Sequence, residues 1–268
     1  MTRYALAPLS LALAFTLGAG LAGCDREEPL TREEASEALT EVQISTEAGA
    51  LTGEMVTLTT DFTIGDAVET AAINLRDFVA SQIPCAEVTR SEHSVTIDFG
   101  VMGTCTWKGR SWSGQTTVTV ERVDADIEVS HVWRGLSDGY LTVDGSATVA
   151  WNLEQVSRHV VHEMRWTDGQ RTASSTGDRM QSLLETRDGL RIDGARSWTG
   201  NAGGTWTLDI DGVEIRGLDP VPQAGTYSLD NPAGKALSMR FARTDASTIQ
   251  VTVSGPRRDF SFEVLSLR

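Results

Sequence analysis

From Ser94 onward the chain alternates apolar and polar residues in short runs. Val95, Ile97 and Phe99 alternate with Thr96 and Asp98. Side chains of a strand change face at every residue, so such a run places an apolar row on one face and a polar row on the other. In the return segment Trp112, Val118 and Val120 share one parity, and Thr117, Thr119 and Glu121 the other. Gly100, Gly103, Gly109 and Gly114 punctuate the region between them, where the chain must turn. The plan recurs to the C-terminus, through Val129 and Trp133, Val143 and Val149, Val160 and Met164, Ile192 and Trp198, Leu208 and Ile210, Met239 and Phe241, Val251 and Val253, and Phe260 and Phe262. Asp-Gly pairs begin at Asp138, Asp144, Asp168, Asp188, Asp193 and Asp211. Asp-Gly between alternating runs is a hairpin signal, and the pattern predicts roughly a dozen strands. One-sided alternation fits antiparallel pairing.

Before this region the period is helical. Thr31 and Glu34 match a capping box, predicting a helix from Thr31 to Gln43. Its apolar face (Ala35, Ala38, Leu39, Val42) is thin, which predicts light packing. Residues Ile44 to Phe62 are threonine-rich and ambiguous. A second helix is capped by Thr63, with Ile64, Ala67, Val68, Ala71, Ala72, Leu75, Phe78 and Val79 on one face and Pro84 at its end.

The expected fold is mainly β: a helical segment over residues 31–84, then an antiparallel up-and-down β meander over 85–268. Two helices cannot cover one apolar face of so many strands. The sheet must therefore curl into a barrel, a half-barrel around the helix, or a two-section sandwich. Pro220-Val221-Pro222 reads as a long turn within the sheet, and Arg171 to Asp178 is polar on both parities.

Residues 1–23 do not belong to this fold. Arg3 is followed by an apolar run from Ala5 to Gly20 and by small residues, the organisation of a secretory signal peptide. The run is marginal and glycine-rich for a transmembrane span, which needs about 20 apolar residues. Leu21-Ala22-Gly23-Cys24 closely resembles the lipobox of bacterial lipoproteins. The resemblance implies cleavage before Cys24, diacylglycerol on its thiol, acylation of the new N-terminus, and residues 24–30 as a lipidated tether. Two or three acyl chains anchor firmly where one holds only marginally. The expected location is the cell envelope, on a bacterial membrane, facing the periplasm or the cell surface.

The formal net charge of −14 implies an acidic surface, which disfavours nucleic acid and anionic lipid headgroups as partners. With Cys24 lipidated, Cys85 and Cys105 remain, and in an oxidising compartment they are expected to pair. No CxxC or adjacent histidine pair suggests a metal, and no cofactor is expected. His159 and His162 lie three apart, so in a strand they face opposite ways; His131 and His162 fall on apolar parities and read as hydrogen-bonded core residues. His93 reads as a solvated loop residue. Asp209, Asp211 and Glu214 faintly resemble a calcium loop but miss its twelve-residue spacing. The seven tryptophans fall mostly on apolar parities and read as core.

No catalytic motif appears, so the leading expectation is a non-enzymatic lipoprotein that binds an envelope protein partner or helps organise the envelope. The alternative is a carrier of an apolar ligand, a lipid or acyl chain, in the concave face of the sheet. In organisation alone the β region resembles curved β carriers, in which a half-barrel holds acyl chains against a helical plug, and the repetitive hairpin sheets of surface lipoproteins. An apolar groove would favour the carrier, and a filled interior the structural role.

Overall fold

A computed structural model describes residues 28–60, 68–123, 126–152, 157–186, 188–199, 203–216 and 219–266. The expected signal peptide (residues 1–23), Cys24 and the expected Thr63 cap lie outside the described residues. Helix α1 (Arg32–Thr60) and helix α2 (Val68–Gln82) precede the strands. The strands are β1 (Glu87–Ser91), β2 (Ser94–Asp98), β3 (Cys105–Trp107), β4 (Arg110–Val123), β5 (Asp126–Ser137), β6 (Thr142–Asn152) and β7 (Ser157–Thr167). They continue as β8 (Thr172–Leu183), β9 (Leu190–Thr199), β10 (Thr205–Ile215), β11 (Ala224–Asp230), β12 (Ala236–Arg243), β13 (Thr248–Gly255) and β14 (Arg258–Leu265).

All pairings are antiparallel, and neighbours in the sheet follow chain order, with β3 as a side flap on β4. The sheet is open, with β1 and β14 as its edges. Its inward rows pack on the helices, as one-sided alternation requires.

Helix α1 departs from the sequence reading. It continues through the threonine-rich stretch to Thr60, and its apolar face is buried rather than lightly packed. The capping box is in place: Glu34 Oε2 accepts from the Thr31 N–H (2.8 Å), and Thr31 Oγ1 accepts from the Glu34 N–H (3.2 Å). Buried Thr52 and Thr59 donate their hydroxyls to the carbonyls of Ala48 and Met55 one turn back, which makes threonine tolerable here. Leu30 is not loose tether either. It is fully buried, and its N–H donates to Pro256 O at 3.0 Å.

The interior divides into two apolar clusters. One joins the second half of α1 (Ile44, Ala48, Leu51, Met55) and α2 to the strands up to β8. The other joins Leu30 and the start of α1 (Ala35, Ala38, Val42) to β9–β14. One helix therefore serves as core for both halves of the sheet.

Three of the six Asp-Gly pairs are not hairpin turns. Asp138, Asp168 and Asp188 lie between strands, but Asp144, Asp193 and Asp211 lie within them. Two of the inner ones build a repeated device. The ladder of β5 shifts register between Trp133 and Leu136, where Gly135 (φ 55°) donates its N–H to Asp144 Oδ1 at 2.8 Å. The ladder of β10 shifts between Ile210 and Val213, where Gly212 (φ 56°) donates to Asp193 Oδ1 at 2.7 Å. Bulges bend and twist a strand, and this pair, three strands out from the central β8 on one side and two on the other, accounts for curling without closure.

Candidate functional site

Strands β7, β8 and β9 occupy the middle of the sheet, where the two apolar clusters meet. Their inward rows are not apolar throughout. On β7 the row carries Arg158, Val160 and His162; on β8 Gly177, Arg179 and Gln181; on β9 Ile192, Gly194 and Arg196. Register places Gly177 between His162 and Arg196, and Gly194 beside Arg179. A Cβ on Gly177 would lie 2.3 Å from His162 Cε1, so the glycine makes room for the imidazole.

These side chains face the middle of α1 across a cavity of about 700 Å³. That lies within the range of about 300–1,000 Å³ usual for small-molecule sites. Apolar wall comes from Trp133, Val160, Ile192 and Ile210, and helical wall from Gly49 and Gly53.

Arg158 and Arg196 are nearly wholly buried (4% and 5% exposed). Arg158 donates from Nε to Gln181 Oε1 (2.8 Å) and from Nη2 to Thr57 Oγ1 (3.0 Å). Arg196 donates from Nη1 to Ser45 O at 3.0 Å and lies over the Trp198 ring. Arg179 Nη2 donates to His162 Nδ1 at 3.3 Å. Burial and the adjacent Arg179 and Arg196 charges hold His162 down to about 3. Burial, with the Arg196 and Arg158 charges, lowers Arg179 to about 10, and burial likewise lowers Arg196. At neutral pH the strip therefore holds cationic arginines beside a neutral imidazole. Burial also raises Tyr227, keeping its phenol neutral.

The other charges on the cavity wall are paired. Lys108 bridges Glu54 at 2.9 Å, Arg110 bridges Asp138 at 3.4 Å, Arg216 bridges Asp188 at 3.1 Å, and Asp219 bridges Arg243. Among the described residues no carboxylate pairs with Arg179 or Arg196.

Cys85 and Cys105 form a disulfide with Cα atoms 5.1 Å apart, tying the chain just after α2 to the β3 flap. His162 faces inward, whereas His159 lies on the outer face and pairs with Asp178. His131 is buried, with Nε2 2.7 Å from Thr59 Oγ1. His93 is exposed. Asp209 and Asp211 are exposed on β10, Glu214 follows its bulge, and among the described residues no group of three or more potential metal ligands occurs. Six tryptophans are buried and Trp151 is half-buried; only Trp133 among them reaches the cavity.

Sequence reasoning missed the arginines. The signal was present: Arg158 shares parity with Val160, and Arg196 with Ile192 and Trp198. An arginine on an otherwise apolar row is a buried cation in want of a partner. The polar stretch from Arg171 to Asp178 conceals the third, because Ala173, Ser175 and Gly177 point inward and are small.

No family model, curated protein or solved structure matches the chain. Among the described residues no helix is long and apolar enough to cross a membrane.

Proposed function

We propose that the protein is a lipid-anchored envelope lipoprotein that holds a small amphiphilic ligand between helix α1 and the concave face of its sheet. The observation that carries the reading is the cavity of about 700 Å³, walled by apolar side chains and lying between two filled apolar clusters. A protein whose only task is structural gains nothing from a hollow between its apolar clusters, since close packing stabilises. The ligand-holding reading is therefore preferred to a purely partner-binding one. Binding rather than catalysis is supported by the cavity's titratable groups, which are paired or held in one charge state near neutral pH. The anchor rests on Leu21-Ala22-Gly23-Cys24.

One experiment reads both parts. The protein is isolated from membranes in polymer nanodiscs, without detergent, and divided for peptide mass spectrometry and solvent extraction. The expected result is an N-terminal Cys24 peptide carrying diacylglycerol and a fatty acid, with about one further amphiphile per chain released by denaturation. An unmodified Cys24 overturns the anchor. An extract containing only the bulk lipids of the nanodisc overturns the ligand.

A further inference from the structure

The cavity's polar strip contains more donors than acceptors. His162 Nδ1 accepts from Arg179, so the neutral ring carries its proton on Nε2, and that N–H has no partner. Arg179 Nε and Arg196 Nε and Nη2 are likewise buried without an acceptor. Each unsatisfied buried donor carries its full desolvation cost, which is larger when the group is charged. Native structures keep few such groups without a reason.

The two guanidinium groups also converge. A Cβ on Gly49 of α1 would lie 3.8 Å from Arg179 Nη1 and 3.9 Å from Arg196 Nη1, so both cations press on one point of the helix. Like charges at close range in a poorly solvated interior repel, and among the described residues no carboxylate pairs with either to offset this. The contrast with the rest of the molecule is sharp, because the chain carries a net charge of −14 yet no carboxylate among the described residues is spent here. Small residues serve the site: Gly49 on the helix lines the cavity, and Gly177 leaves room for the His162 ring.

We infer that Arg179, Arg196 and His162 form an oxyanion-binding subsite, which takes the carboxylate or phosphate head of an amphiphile whose chain lies along Trp133, Val160 and Ile210. The inference rests on the ligand-holding reading above and deepens it by fixing the chemistry of the ligand's polar end. A bound oxyanion supplies the missing acceptors and the missing negative charge together. Guanidinium forks suit both heads, because a carboxylate and a phosphate each present two oxygens at matching spacing. The alkyl chain then replaces water along the apolar wall.

The test is calorimetric titration of the delipidated full-length protein with dodecanoate, dodecyl phosphate, dodecanol and inorganic phosphate. The same titrations are run on the R179M/R196M double variant. At least one anionic amphiphile should bind the wild type roughly tenfold or more tightly than dodecanol, as charge-assisted hydrogen bonds require. The double variant should lose that preference while still binding dodecanol. Equal affinity for dodecanol and both anionic amphiphiles in the wild type would overturn the subsite and leave the cavity reading intact. Failure of every alkyl probe to bind would overturn the cavity reading itself. Inorganic phosphate binding as tightly as dodecyl phosphate would overturn the amphiphile and leave a site for free oxyanions. Thermal unfolding of the variant is the control: removing two unpaired buried charges should leave its melting temperature unchanged or higher. If the double variant does not fold, R179Q alone carries the same comparison, and an unchanged preference for the anionic probes would overturn the role of Arg179.

Discussion

The inward faces of β2 and β4 differ from those of β7, β8 and β9, although all five strands belong to one sheet and obey one parity rule. On the first pair the inward residues are Val95, Ile97, Trp112, Thr116, Val118 and Val120, all fully buried. Trp112 is packed between Phe99 and Trp107, each ring centroid 5.5 Å away, and its indole N–H reaches Trp107 O at 3.1 Å. On the second group arginine and histidine stand where valine would fit. The difference teaches that the centre of this sheet is not organised for stability. A dry core and a charged strip have been built on the same scaffold, and the charged one must be offset by interactions elsewhere.

The dry region should respond most strongly to truncation. Trp112→Ala removes a fully enclosed ring and should destabilise the protein by about 3–5 kcal/mol in denaturant unfolding. A loss below about 1 kcal/mol would mean that this region is not the packed core described. The disulfide comes next. Its closed loop spans 20 positions, and replacing Cys85 and Cys105 together with serine should cost roughly 3 kcal/mol. An unchanged melting temperature beside intact thiol reactivity in the wild type would show that the pair is not bonded.

The smallest effect probes the polar side of the comparison through pH. Burial lowers His131 and His162 each to about 3, whereas an unfolded chain takes up these protons near 6.5. The unfolded state therefore binds more protons as pH falls below 6.5, and stability drops in that direction until the folded sites titrate near 3. Between pH 6.5 and 5.5 the two histidines together should remove about 2 kcal/mol. A flat profile over that window would contradict their burial in neutral form. His162→Gln should halve the slope.

Much of the architecture is legible in the alternation, because a half-buried antiparallel strand writes its burial into every second residue. The helix boundary was not legible for a physical reason. Ile44, Ala48, Leu51 and Met55 do recur at helical spacing. Thr46, Thr52, Thr57, Thr59 and Thr60, with Gly49 and Gly53, lower the local propensity enough to hide them. Packing on both sheet halves outweighs that propensity, and packing is not visible in a local window. The Asp-Gly pairs misled in part, because glycine suits a bulge as well as a turn and only the ladder register separates the two. The arginine strip stayed hidden because its members come from three strands and are assembled only by register.

Helix α1 has a further consequence, for the order in which the molecule can be made. Its contacts run almost the length of the chain: Arg196 donates to Ser45 O 151 positions away, Trp198 to Glu41 157 away, and Lys235 to Glu34 201 away. The hairpins are local and can form as soon as each pair of strands exists, but closing loops of this length is slow and entropically costly. The second half of α1 can pack on α2 and the strands up to β8 once these exist, but its start must wait for β9–β14. Leu30 docks only when Pro256, between β13 and β14, is in place, so a chain cut short before Pro256 should leave the start of the helix unanchored while its second half stays packed.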